Sequence, residues 1–135
     1  MASLSLDSWH RELRRWGMGQ ITIEQLMDHL RRFRDERDWA QFHTPKDLAI
    51  SVSIEAAELL ELFQWRAASA PVDELFVEKL RGEAADVLLY LLLLSDHVGI
   101  DLLAAADAKI RRNEERFPVA SSRGVAKPND ETCGR

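Results

Sequence analysis

The run Val87 to Leu94, VLLYLLLL, constrains the fold of this chain more than any other stretch. It follows the helix-favouring segment Glu83-Ala-Ala-Asp86 without a turn residue, so it continues a helix. The run spans more than two helical turns, so its apolar side chains surround the helix. A helix that is apolar on all sides has to be buried on all sides. Four helices in one small chain rarely achieve that alone. The run therefore predicts that the third long helix also packs against another subunit, the alternative being a central helix enclosed within one subunit. It is too short to cross a bilayer, which takes about 20 apolar residues.

The rest of the chain reads as helices joined by short breaks. Residues 1–20 form a leader in which Leu6, Trp9, Leu13 and Trp16 fall near helical spacing before Gly17 and Gly19 interrupt. Thr22 with Gln25 three residues on is a capping box. Leu26, Leu30 and Phe33 then give helix one an apolar stripe, ending near Trp39. Thr44 and Pro45 open helix two, which is expected to reach about Ala67 before Ser69-Ala70-Pro71 breaks it. Helix three runs from about Val72 to Val98, with Gly82 a candidate interruption, and Gly99 stops it. Asp101 caps helix four, which ends near Arg116 before Pro118. Alternating strand patterns are lacking. The expectation is an all-α four-helix bundle over residues 21–118, with residues 119–135 a polar, mobile tail.

Composition narrows the function. The chain has 135 residues, 46% of them hydrophobic and 30% charged, which is enough apolar material for one soluble domain. A net charge of −5 argues against a partner that is a nucleic acid polymer. A single cysteine, Cys133, permits no internal disulfide, and the N-terminus has no secretory pattern. A cytoplasmic protein with no membrane partner is expected.

The chemistry-bearing feature is a doubled acid pair. Helix two carries Glu55-Ala-Ala-Glu58 and helix three carries Glu83-Ala-Ala-Asp86. Acids three apart share a helix face, and both pairs lie within apolar segments. Either pair alone would be ordinary surface charge. Four converging carboxylates repel one another and need a cation to stay ionised. Mg²⁺ takes oxygen ligands and is commonly shared between carboxylates and substrate phosphates, which points to phosphate chemistry. A di-iron bundle needs Glu-x-x-His on two helices, and no histidine follows a glutamate by three here.

The order Glu55-x-x-Glu58, 24 intervening residues, then Glu83-x-x-Asp86 resembles the E-x-x-E…E-x-x-D signature of the MazG-like nucleotide pyrophosphohydrolases. The stretches FRDERDWAQFHTPKDLAISVSIEAAELLELFQW, EAADVLLYLLLL and KIRRNEERFP look most like the single-domain dCTP pyrophosphatase branch. The resemblance covers roughly residues 21–118. It implies an all-α homodimer or homotetramer that hydrolyses a (deoxy)nucleoside triphosphate to the monophosphate and pyrophosphate. Glu55, Glu58, Glu83 and Asp86 would be the catalytic Mg²⁺ ligands, with Glu55 the preferred general base. A non-catalytic helical interaction module, or a related dNTP or dUTP pyrophosphatase, is the alternative.

The resemblance also nominates substrate contacts. Lys109, Asn113 and Arg116 fall at i, i+4, i+7 on helix four, where the matching Lys and Asn of the family approach the triphosphate. Trp39 and Trp65 are candidates for the base pocket, since an indole can stack on a nucleobase. His43 is a further candidate for base or phosphate, Lys46 for phosphate and Tyr90 for the sugar, with Ser122, Arg123 and Lys127 for phosphate from the tail. A histidine of helix one in some vertebrate dCTP enzymes is replaced by Leu30, with His29 beside it, so base preference can differ.

Overall fold

The computed structural model describes residues 21–125, and all regular structure among them is helical. The leader over residues 1–20, and the tail from residue 126 with Lys127, lie outside the described residues. Helix α1 is Ile23–Asp35, α2 is Pro45–Glu61, α3 is Glu74–Val98, α4 is Leu102–Arg116, and a single turn, α5, is Val119–Ser122. The last of these falls in the segment expected to be tail.

Local chemistry places each boundary. The predicted capping box is formed: Thr22 Oγ1 accepts from the Gln25 amide at 3.2 Å, and Gln25 Oε1 accepts from the Thr22 amide at 2.9 Å. Helix α1 stops at Asp35, earlier than expected from its apolar stripe. The amides of Arg37 and Asp38 tighten into bonds to Arg34 and Asp35 carbonyls, and Asp38 then turns left-handed at φ 52°. The Gln41 side chain pins this turn, its Nε2 donating to the Asp38 carbonyl at 3.0 Å and to its carboxylate at 2.7 Å. Trp39 thereby opens a short 3-10 turn, Trp39–Phe42.

Helix α2 starts as its sequence indicates, with Thr44 accepting from the Asp47 amide at 3.1 Å and Pro45 in the first turn. It ends at Glu61 rather than near Ala67. Beyond it the chain descends through successive turns closed by Phe63, Arg66 and Ala70 amides. Arg66 is the reason this route is favourable. Its guanidinium stacks on Phe76 at 3.8 Å and donates to the Pro71 carbonyl at 2.6 Å. Phe76 in turn meets Phe63 edge-on at 5.1 Å, so one aromatic pair ties the end of α2 to the start of α3.

Helix α3 runs unbroken through Gly82, whose position has open space where a Cβ would sit. It ends where expected: Gly99 takes φ +71° and the Ile100 amide reaches back to the Ser95 carbonyl at 2.9 Å. Asp101 caps α4 through the Ala104 amide at 2.9 Å.

The chain forms two compact units, one ending at Leu94 and one beginning at Ser95. The core of the first is small: Leu30 of α1, Leu48 of α2, and Phe76, Leu92 and Leu93 of α3 are its buried apolar side chains. Ile50, Ile54, Phe33, Phe63 and Leu88 of the same unit remain exposed to 39–51%. No single helix among the described residues is long and apolar enough to cross a membrane.

Candidate active site

The first unit brings the acids of α2 and α3 together. One carboxylate oxygen from each of Glu55, Glu58 and Glu83 lies within 4.8 Å of the other two. Glu55 and Glu83 are half-buried and Glu58 is exposed. Burial, then the charges of Glu58, Asp86 and Glu83, hold the Glu55 carboxyl above the ordinary glutamate value. Asp86 stands outside the tight trio but close enough for its charge to act on Glu55.

This donor set suits a hard divalent cation. It offers oxygen alone, the ligand such a cation prefers. To share one ion the three carboxylates would close further, by up to about 2 Å, since neighbouring ligands on Mg²⁺ stand about 3 Å apart. The charge crowding that raises Glu55 is the cost such a cation would relieve.

Asp86 belongs to a second feature as well. It lines a cavity of about 190 Å³ with Leu89, Tyr90 and Leu93 of α3, Leu30, Phe33 and Arg34 of α1, and Trp39 and His43 of the connecting turn. Both helical contributions follow i, i+3, i+4 spacing, so each is one helix face. Trp39 meets Phe33 edge-on at 5.7 Å and is 45% exposed, which leaves part of its ring accessible. His43 turns Nδ1 into the protein, shut off from solvent. The cavity thus has an apolar floor, aromatic sides and one carboxylate at its edge.

Among the sequence-predicted residues, Trp39, His43, Tyr90 and Asp86 therefore converge. Trp65 does not: it sits in the turns after α2, 90% exposed, and is absent from the cavity lining. Lys46 lines a shallow groove of about 430 Å³ with Ala49, Ile50, Ser53, Ile54 and Ala57. At 100° per residue, that groove is on the opposite side of α2 from Glu55 and Glu58. Lys109, Asn113 and Arg116 lie on α4 of the second unit, the two cations exposed and Asn113 half-buried. Arg116 also stacks loosely on Phe117 at 5.0 Å. Ser122 and Arg123 occupy the turn ending α5, Ser122 half-buried.

Sequence reasoning did not select Arg34 or Phe33 for the cavity. The signal was available for both. Phe33 and Arg34 follow Leu30 by three and four residues, on one helix face.

The sequence model of the MazG-like family matches residues 50–131, more than half of the chain and both acid pairs. The chain belongs to the MazG-like family. Among curated proteins, this MazG-like chain is 38% identical over 109 residues to dCTP pyrophosphatase 1 of Rattus norvegicus, covering 78% of the chain and 64% of the relative. It is 33% identical over 119 residues to dCTP pyrophosphatase 1 of Homo sapiens, covering 82% and 70%. The match thus spans just under two thirds of the rat relative's length. Among solved structures, a pyrophosphatase from Archaeoglobus fulgidus DSM 4304 is similar with a TM-score of 0.65 and 45% identity, over 74% of this chain and 95% of that one.

Proposed function

We propose that this MazG-like chain is a Mg²⁺-dependent pyrophosphohydrolase of (deoxy)nucleoside triphosphates, with a dCTP-like substrate. The observation that carries the reading is the double role of Asp86. Its charge acts on the acid cluster, while its side chain lines the aromatic cavity. A nucleotide needs those two environments side by side, one for its polyphosphate and one for its base. The names of the curated relatives and of the archaeal structure support the same chemistry.

In this reading Glu55, Glu58 and Glu83 hold the cation, with Asp86 completing the set. When bound, the cation supplies charge neutralisation and polarises the phosphate oxygens. Glu55, the acid assigned as general base on the family pattern, takes the proton of the attacking water. The water oxygen bonds to the α-phosphorus, the bond from that phosphorus to the bridging oxygen breaks, and pyrophosphate leaves. Trp39 flanks the base, Tyr90 reaches the sugar, and His43 offers a polar contact to base or phosphate. Lys109, Asn113 and Arg116 would meet the polyphosphate from α4, an assignment that rests on the family pattern. A cytoplasmic location accompanies this substrate.

A second copy of the chain is part of the proposal. The groove of Lys46, Ile50 and Ile54, and the exposed Leu88 of the apolar run, are the surfaces it would cover. A homodimer or a homotetramer of paired dimers would satisfy them.

Incubation with a panel of nucleoside triphosphates and Mg²⁺, with separate detection of pyrophosphate and orthophosphate, tests the activity. Pyrophosphate is expected from dCTP. Glu58→Gln and Asp86→Asn should each lower kcat/KM by at least about 100-fold. Wild-type protein without turnover, or variants with unchanged turnover, would leave a helical interaction module instead.

A further inference from the structure

The wall of the aromatic cavity is held from outside by a residue that does not line it. Arg37 lies beyond the end of α1, and its guanidinium sits over the Phe33 ring at 3.7 Å and 6.0 Å from the Trp39 ring. The same guanidinium donates to the Phe33 carbonyl at 2.9 Å. One flat cation therefore grips both the ring and the backbone of Phe33. Phe33 passes the constraint on by its edge-on contact with Trp39. The left-handed Asp38 between Arg37 and Trp39, locked by Gln41, returns the chain so that this contact can form.

We propose that Arg37 is a positioning residue for the base cavity, fixing the Phe33–Trp39 wall and so setting nucleotide affinity without touching nucleotide or cation. The inference rests on the pyrophosphohydrolase reading for its consequence in affinity, but its structural half stands apart. Phe33 and Trp39 are both 45% exposed, so burial alone leaves each ring several orientations. The stacked guanidinium selects one of them in the absence of ligand, and a preformed wall spares the nucleotide that ordering cost. Lysine cannot substitute fully, since an ammonium has neither the planar face nor the forked donors.

The test uses full-length protein labelled with 5-fluorotryptophan, in which Trp39→Phe assigns one of four ¹⁹F resonances. Arg37→Gln should move and sharpen the Trp39 resonance in free protein. It should raise the KM for dCTP about two- to fivefold with kcat held within about twofold. Arg37→Lys should fall between wild type and Arg37→Gln in both readouts, and it carries the test should Arg37→Gln not fold. The Mg²⁺-induced rise in Tm should be retained, because the acid cluster is untouched. An unmoved Trp39 resonance, or a fall in kcat at unchanged KM, would overturn the proposal. Wild-type protein that hydrolyses no nucleotide removes the functional reading, and the resonance then still decides what Arg37 does to Trp39.

Discussion

Replacing Glu55 by glutamine should make the metal-free protein more stable, although it removes a residue central to the site. The neighbouring carboxylate oxygens of Glu58 and Glu83 lie within 4.8 Å. At that distance two charges repel by about 0.9 kcal/mol in a water-like dielectric. Salt near physiological strength screens roughly half of that, so losing both repulsions gains on the order of 1 kcal/mol. For a domain of this size the gain corresponds to a Tm rise of about 4 °C. The pH dependence has a definite sign. The Glu55 carboxyl is raised above its ordinary 4.5 in the folded protein, so the folded state binds its proton more tightly than the unfolded chain does. The stability cost of its ionisation is absent below about pH 4.5, grows as pH rises through the folded value, and is complete above it. Glu55→Gln should therefore match wild type in acid and exceed it at neutral pH. Saturating Mg²⁺ should reverse the order, since a ligand at one hundred times its Kd adds about 2.7 kcal/mol to wild type. Thermal melts with EDTA and with Mg²⁺, at pH 4 and pH 7.5, measure all four corners. A lower Tm for Glu55→Gln in EDTA at pH 7.5 would refute the charge-crowding argument.

Two glycines should respond oppositely to alanine. Gly82→Ala, in a helix with open space at the Cβ, should stabilise by about 0.5–1 kcal/mol, whereas Gly99→Ala at φ +71° should destabilise by about 1 kcal/mol. Chemical denaturation reads both, and a destabilising Gly82→Ala would place another surface against that side of α3. Leu48, 1% exposed, should cost about 3 kcal/mol as Leu48→Ala, and a loss under 1 kcal/mol would mean the first unit's core lies elsewhere.

Much of this architecture was legible because its determinants are local. Thr22 with Gln25, Thr44 with Pro45, Gly99 and Asp101 each act within one turn of their own position, and each forms the predicted cap or stop. The all-helical class followed from the same periodicities. The ends of α1 and α2 were misplaced because tertiary contacts decide them. Arg66 turns the chain after Glu61 by finding Phe76 and Pro71, partners no helical repeat reveals. Gly82 was a candidate break on propensity, but a single glycine costs a helix only about 1 kcal/mol, and α3 runs through it. At the site, the i, i+3 spacing sets Glu55 beside Glu58 and packing of α3 brings Glu83 to them, whereas Asp86, expected in the same cluster, lies with Trp39, His43 and Tyr90 at the cavity. Residue type alone could not separate Trp39 from Trp65. Both indoles follow helix ends, and only the left-handed turn at Asp38 folds one of them back.

The Phe63–Phe76 clasp has a mechanical consequence for the acids. Glu55 precedes Phe63 by eight residues and Glu83 follows Phe76 by seven, so each carboxylate rides on an arm about 11 Å long. A change of about 5° in the opening of the α2–α3 hairpin moves the arm ends by roughly 1 Å, a sizeable part of the closure that a shared Mg²⁺ ion would ask of the three oxygens. The pair of rings would therefore act as a fulcrum: repulsion between the carboxylates would spread the tips, a bound ion would draw them in, and the aromatic contact would stay nearly still. Whatever stiffens or loosens that distant joint would tune cation affinity while leaving every ligand in place.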